Sequence, residues 1–143
     1  MNKNLTEMVF ILDRSGSMSG LETDTIGGYN SLLEKQKKEE REAVVTTVLF
    51  DDKYDMICDY ADIKKIPPTT EKEYYARGCT ALLDAIGKTI NHAGNRHKYA
   101  LDSEVPSKTM VVIITDGYEN ASLEFGNVNK SAVEIYPQFL KLL

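Results

Sequence analysis

Hydrophobic and polar positions along this chain fall into alternating strand-like and helix-like segments. Residues 9–12, Val-Phe-Ile-Leu, form a continuous apolar run, as expected of a strand covered on both faces. A Gly/Ser-rich turn follows. Residues 21–41 then place Ile26, Tyr29, Leu32 and Leu33 on one side and Lys and Glu on the other, which predicts an amphipathic helix. Residues 43–50, rich in Val and Thr, predict a second strand. Asp51-Asp52-Lys53 turns the chain into residues 54–60, where Tyr54, Met56, Cys58 and Tyr60 alternate with Asp55, Ile57 and Asp59. That alternation predicts an antiparallel edge strand with one wetter face.

Pro67-Pro68 and Thr69-Thr70 mark an irregular connection. A second helix is predicted to open at Thr80 or its neighbour, to bury Leu82, Leu83, Ile86 and Ile90, and to end at Gly94-Asn95. Residues 96–107 are polar and loop-like. Residues 110–114 form another fully apolar strand, which leads to Asp116. Strand, helix, hairpin, helix, strand is the order of an α/β fold. The expected architecture is Rossmann-like and three-layered: a doubly wound, mostly parallel sheet with one antiparallel edge strand, shortened at its C-terminus. Residues 1–122 would be the domain core. Residues 123–143 would be an atypical tail of short helical pieces. There Ser131-Ala-Val-Glu134 resembles a capping box, Pro137 interrupts, and Phe139, Leu140, Leu142 and Leu143 make a greasy patch.

Composition narrows the functional classes. A chain of 143 residues with 42% hydrophobic and 27% charged residues can bury one core without staples. A net charge of −5 with no basic stripe argues against a nucleic-acid partner. The apolar runs are too short to cross a bilayer, so no membrane association is expected. The first residues lack the apolar core of a signal peptide, giving an expected cytoplasmic location. Cys58 and Cys79 have no Cys-x-x-Cys spacing and read as reduced thiols. His92 and His97 are five apart, do not share a helix face as a zinc pair would, and read as surface residues.

The densest chemistry lies where the first strand ends. Asp13, Ser15 and Ser17 place a carboxylate and two hydroxyls at alternate positions of one short loop. Three hard oxygens suit a small divalent cation such as Mg²⁺. Thr80 and Asp116 lie on two further predicted loops. A doubly wound sheet can bring all five to one crevice, where the strand order reverses. Two carboxylates only formally balance a 2+ ion and hydroxyls donate weakly, so the metal stays able to take a carboxylate from outside. Each residue alone has a plainer explanation: Ser15 and Ser17 as turn or capping residues, Thr80 as an N-cap, Asp116-Gly117 as a turn. An enzymatic alternative is a small serine hydrolase, since Gly16-Ser17-Met18-Ser19-Gly20 matches Gly-x-Ser-x-Gly with Ser19 as nucleophile. Against it, the apolar run stops several residues before Ser19.

Asp13-x-Ser15-x-Ser17, the distant Thr80 and the distant Asp116 together resemble the metal-ion-dependent adhesion site of the von Willebrand factor A domain family. The surrounding phrases, Phe10-Ile-Leu-Asp-Arg-Ser-Gly-Ser-Met-Ser-Gly20 and Val112-Ile-Ile-Thr-Asp-Gly117, are similar to its intracellular prokaryotic branch. The resemblance spans about residues 5–122. It implies a Mg²⁺ site that Mn²⁺ can also fill, with Asp13, Ser15, Ser17, Thr80 and Asp116 holding the metal directly or through water. It also implies binding of a protein partner's Asp or Glu rather than catalysis. Such domains usually add two more strands with their helices after the Asp116 position. The strand before Asp116 is therefore expected at a sheet edge, covered by the tail or by a second copy of the chain in a homodimer.

Overall fold

The computed structural model describes residues 2–115. They form β1 (Asn2–Asp13), α1 (Glu22–Lys37), β2 (Glu42–Phe50), β3 (Tyr54–Asp62), α2 (Leu82–Tyr99) and β4 (Pro106–Ile114), with short 3₁₀ turns at Gly16–Met18, Ile63–Lys65 and Asp102–Glu104. The fold is mixed α/β. Its sheet has the order β3-β2-β1-β4, with β1 parallel to both neighbours and β3 antiparallel to β2. β1 is thus an inner strand, and among the described residues β4 lies at an edge. The expected edge-covering tail falls outside the described residues.

The apolar run of β1 serves both faces because alternate side chains point to opposite sides. Met8, Phe10 and Leu12 pack with Tyr29 and Leu33 of α1 and with Val45 and Leu49 of β2. Val9 and Ile11 pack with Leu82, Ala85 and Ile86 of α2, with Phe50 and with Ile113. One ring pair anchors the α1 face: Phe10 and Tyr29 meet edge-on at 4.9 Å and 85°. The Tyr29 hydroxyl satisfies itself on Thr47 Oγ1 at 2.8 Å. Burial pushes its pKa up to about 12, so it stays neutral where a phenolate would be costly.

Several predicted boundaries move, each because tertiary contacts outweigh local pattern. β1 starts at Asn2 rather than near Val9. Thr6 and Glu7 interrupt the apolar pattern, yet they pair in the ladder with Ala43 and Val44 and are buried. Glu7 is partnered there through one oxygen: its Oε1 accepts from Thr109 Oγ1 at 3.0 Å and meets His97 Nε2 at 2.6 Å, while Oε2 is buried without a hydrogen bond among the described residues. β4 likewise starts at Pro106 instead of Met110, held by its pairing with β1.

α1 stops at Lys37, four residues before the predicted end. α2 runs through Gly94-Asn95 to Tyr99. Arg96–Tyr99 are therefore helical, not loop, and sheet contacts hold that extension down. Arg96 Nη2 and His92 Nε2 both reach Asp59 Oδ1 at 2.9 Å, and His97 reaches Glu7. Burial pushes the Asp59 carboxyl up, but His92 and Arg96 together outweigh it and hold the group below its usual range. The two histidines are accordingly not idle surface residues; each meets a carboxylate on the sheet.

Ile90 is a further correction. It is 53% exposed, whereas Leu82, Ala85, Ile86 and Thr89 are buried. Steps of four residues drift around a helix that has 3.6 per turn, and by Ile90 the drift has carried the side chain off the sheet. β3 behaves as its alternation predicts, with exposed and half-buried residues in turn.

Phe10→Ala should cost about 3–5 kcal/mol of unfolding free energy in urea titrations, as expected for a fully buried ring. Ile90→Ala should stay within about 0.5 kcal/mol of the parent protein. Equal losses at the two positions would contradict the packing described.

Candidate functional site

The C-terminal end of β1 delivers Asp13 into the middle of the sheet's upper rim with no exposed surface. A buried carboxylate must be hydrogen-bonded, and the next residues fold to achieve this. Asp13 Oδ1 accepts from the backbone N–H of Ser15 at 2.8 Å and from its Oγ at 2.6 Å. Ser15 Oγ lies 2.9 Å from Ser17 Oγ. Asp13 Oδ2 accepts from Thr115 Oγ1, just past β4, at 2.7 Å, and the Tyr74 hydroxyl donates to the Asp13 carbonyl. Asp13, Ser15 and Ser17 therefore form one continuous group of oxygens. Asp13 and Ser15 are buried in it, while Ser17 opens to solvent.

Thr80 stands on the loop before α2, where it is buried and precedes the first helical residue by two positions. That loop is joined to the Asp13 loop by two backbone bonds, Gly16 N–H to Gly78 O at 2.9 Å and Arg77 N–H to Arg14 O at 2.7 Å. The approach is tight at Gly16, and at Gly78 the backbone conformation itself favours glycine. A Cβ on Gly16 would sit 3.2 Å from Gly78 O, and Gly78 itself has a φ of +68°, with Asp52 Oδ1 2.7 Å from where a Cβ would stand. Asp116 lies outside the described residues. Its neighbour Thr115 reaches Asp13, so the end of β4 is at the site.

Three contributors lie outside the sequence motifs, Asp51, Tyr74 and Arg77, while Thr115 lies inside the 112–117 phrase without a role assigned from sequence. By pattern Asp51 is only a turn residue, although it stands one step beyond Phe50, the residue that pairs with Asp13 across the β1–β2 ladder. That position at a parallel strand end was the available signal. Tyr74 and Arg77 carried none, since their partners are 61 and 26 residues away in the chain.

Arg14, the residue after β1, is buried beside acids of the neighbouring strand end. Its guanidinium is 3.9 Å from Asp51 and 3.6 Å from Asp55, and it lies 5.7 Å from the Tyr75 ring centre, with Arg77 at 5.2 Å from the same ring. Its positive charge is thereby matched by carboxylates. Among the described residues no three His, Cys, Asp or Glu side chains gather as a metal cluster; the oxygen group is instead hydroxyl-rich with a single described acid. Its chemistry fits a hard cation. Adjacent ligands of an octahedral Mg²⁺ at about 2.0–2.1 Å are about 2.9 Å apart, comparable with the spacing of the two serine oxygens. The Gly16–Gly20 stretch is a 3₁₀ helix over Gly16–Met18 followed by a turn, rather than a strand-to-helix elbow, with Ser19 exposed. His92 and His97 are engaged with Asp59 and Glu7.

No family model matches the chain, and no curated protein does. Among solved structures, it is similar to part of the type V pilus tip protein Mfa5 of Porphyromonas gingivalis, with a TM-score of 0.62 and 15% identity over 88% of this chain. The matched region is 22% of that chain, so this chain spans about a fifth of its length. Proximal thread matrix protein 1 of the mussel byssus aligns at 17% identity over 84% of this chain and 31% of its own, with a TM-score of 0.47. At such identities the likeness concerns the fold. Among the described residues no helix is long and apolar enough to cross a membrane.

Gly78→Ala should lower stability by roughly 1–3 kcal/mol, because it forces an L side chain into a left-handed backbone; urea denaturation measures it. The two thiols offer a check on the loop. Cys79 is exposed, whereas Cys58 is partly covered and burial pushes its thiol up. At pH 8, iodoacetamide should modify Cys79 at least tenfold faster than Cys58, as read by peptide mass spectrometry.

Proposed function

We propose that this chain is a metal-dependent protein-binding module, used for adhesion or assembly, of the von Willebrand factor A type. In this reading the sheet belongs to a Rossmann-like, doubly wound, three-layer fold. The site occupies the crevice between β1 and β4, where strand order reverses. Ser15 and Ser17 would hold Mg²⁺, or Mn²⁺ in its place, through their hydroxyls. Asp13 would supply charge directly or through water. Thr80 and Asp116 would complete the set from the other two loops.

The observation that carries the reading is the Asp13–Ser15–Ser17 oxygen group, bonded into one unit at the end of an inner parallel strand. The bound cation would act as a Lewis acid that accepts an Asp or Glu carboxylate from a partner protein. The protein's own part is to hold hydroxyls rather than further carboxylates around it. A more acidic site would neutralise the ion and repel the partner's acid. The engagement of both histidines away from Ser19 supports a binding role over hydrolysis.

Thermal unfolding tests this directly, since a ligand held only by the native state stabilises it. At a hundredfold excess of Mg²⁺ over its Kd the gain is about 2.7 kcal/mol, or a Tm rise of roughly 5–10 °C for a domain of this size. Asp13→Ala should remove the rise. A Tm indifferent to both Mg²⁺ and Mn²⁺ would overturn the proposal, as would metal-independent ester turnover lost in Ser19→Ala.

A further inference from the structure

We infer that Asp51 is the positioning residue of the candidate metal site: it sets the spacing between the loop that carries Asp13, Ser15 and Ser17 and the loop that carries Thr80. The inference rests on the metal-binding reading above.

Asp51 does not belong to the oxygen group, yet it hydrogen-bonds the loop that carries Thr80 and lies at ion-pair distance from Arg14, the residue after Asp13. It is 1% exposed. Its Oδ2 accepts from Arg77 Nε at 2.8 Å and lies 3.9 Å from Arg14 Nε. Its carbonyl accepts the N–H of Ala81 at 2.8 Å. Arg14 follows Asp13 directly, and Ala81 follows Thr80 directly. One residue at the end of β2 thus holds the chain next to two site residues that are 67 positions apart in sequence.

A turn alone would not require this residue to be charged. Oδ1 accepts from Lys53 N–H at 2.7 Å, a bond that asparagine makes equally well. The second oxygen faces two guanidinium groups, and there only a carboxylate serves. Burying a charge is costly unless it is paired. The arrangement therefore favours one relative placement of the three loops, the one in which Asp51 keeps both arginines. The bonds from Gly16 to Gly78 and from Arg77 to Arg14 run beside it and close the same junction.

Such a junction matters most for a cation that tolerates little error. Mg²⁺ demands near-octahedral oxygens at about 2.0–2.1 Å, whereas Ca²⁺ accepts irregular shells at about 2.3–2.6 Å. Loops held at fixed spacing select the smaller ion; loosened loops lose that selection first.

The test is titration calorimetry of the full chain with magnesium chloride and, separately, calcium chloride, on the parent, Asp51→Asn and Arg77→Ala proteins. Asp51→Asn should weaken Mg²⁺ binding tenfold or more while changing Ca²⁺ binding less than threefold, so that preference for Mg²⁺ falls. Arg77→Ala, at a half-exposed position, should shift the ratio of the two constants in the same direction by about threefold, and it carries the test should Asp51→Asn fail to fold. A merely structural role for Asp51 would lower the urea midpoint and leave the ratio unchanged; that result, or unchanged constants in both variants, overturns the inference while the metal reading stands. A parent protein that binds neither ion overturns the metal reading and this inference with it.

Discussion

A carboxylate buried at the end of an inner strand is the constraint around which the upper rim of this molecule is organised. Asp13 has no exposed surface, and leaving such a group without partners would cost several kcal/mol. The chain resolves this locally and at long range together. Ser15 returns two bonds to it within the same turn; Thr115 supplies one from beyond β4; and Tyr74 reaches its carbonyl from the loop before α2. Satisfying the carboxylate and carbonyl of this one residue therefore brings two remote segments to one place, and the hydroxyl group proposed to bind a cation is a by-product of the same solution.

The opposite half of the sheet solves a related problem. Glu7 sits inside β1, nearly inaccessible, and is met by His97 from α2 and Thr109 from β4. A little further along, Asp59 of β3 takes His92 and Arg96. These polar contacts fasten the C-terminal turns of α2, where the apolar stripe has already rotated off the sheet. The helix is thus held by hydrophobic packing at its start, through Leu82, Ala85 and Ile86, and towards its end by the Arg96–Asp59 ion pair and the contacts of His92 and His97 with carboxylates. This division explains why a glycine-asparagine pair, ordinarily a stop, lies within it.

Much of this was legible from pattern alone. Val9 to Leu12 read as a doubly covered strand, and both helices and the alternating edge strand were visible from their periods. Asp13, Ser15 and Ser17 stood out because their spacing is local and their chemistry shared. What escaped were groups whose importance depends on a partner far along the chain. Asp51 looked like any turn aspartate until Arg14, Arg77 and Ala81 were placed around it. Thr6 and Glu7 looked like the polar lead-in to a strand until the ladder to β2 showed them inside one. Ile90 looked apolar enough for the core, but the helix is anchored by other residues.

The amino-acid sequence by itself determined the kinds of element, their order, and the oxygen-rich turn after β1, because these follow from short-range periodicity and from side chains within a few residues of each other. Only the tertiary structure decided how far each strand and helix extends, which face of α2 meets the sheet, and which residues hold the three loops at the site together. Those outcomes turn on burying or pairing polar groups such as Glu7, Asp13 and Asp51, and the balance of desolvation against pairing exists only once distant segments are in contact.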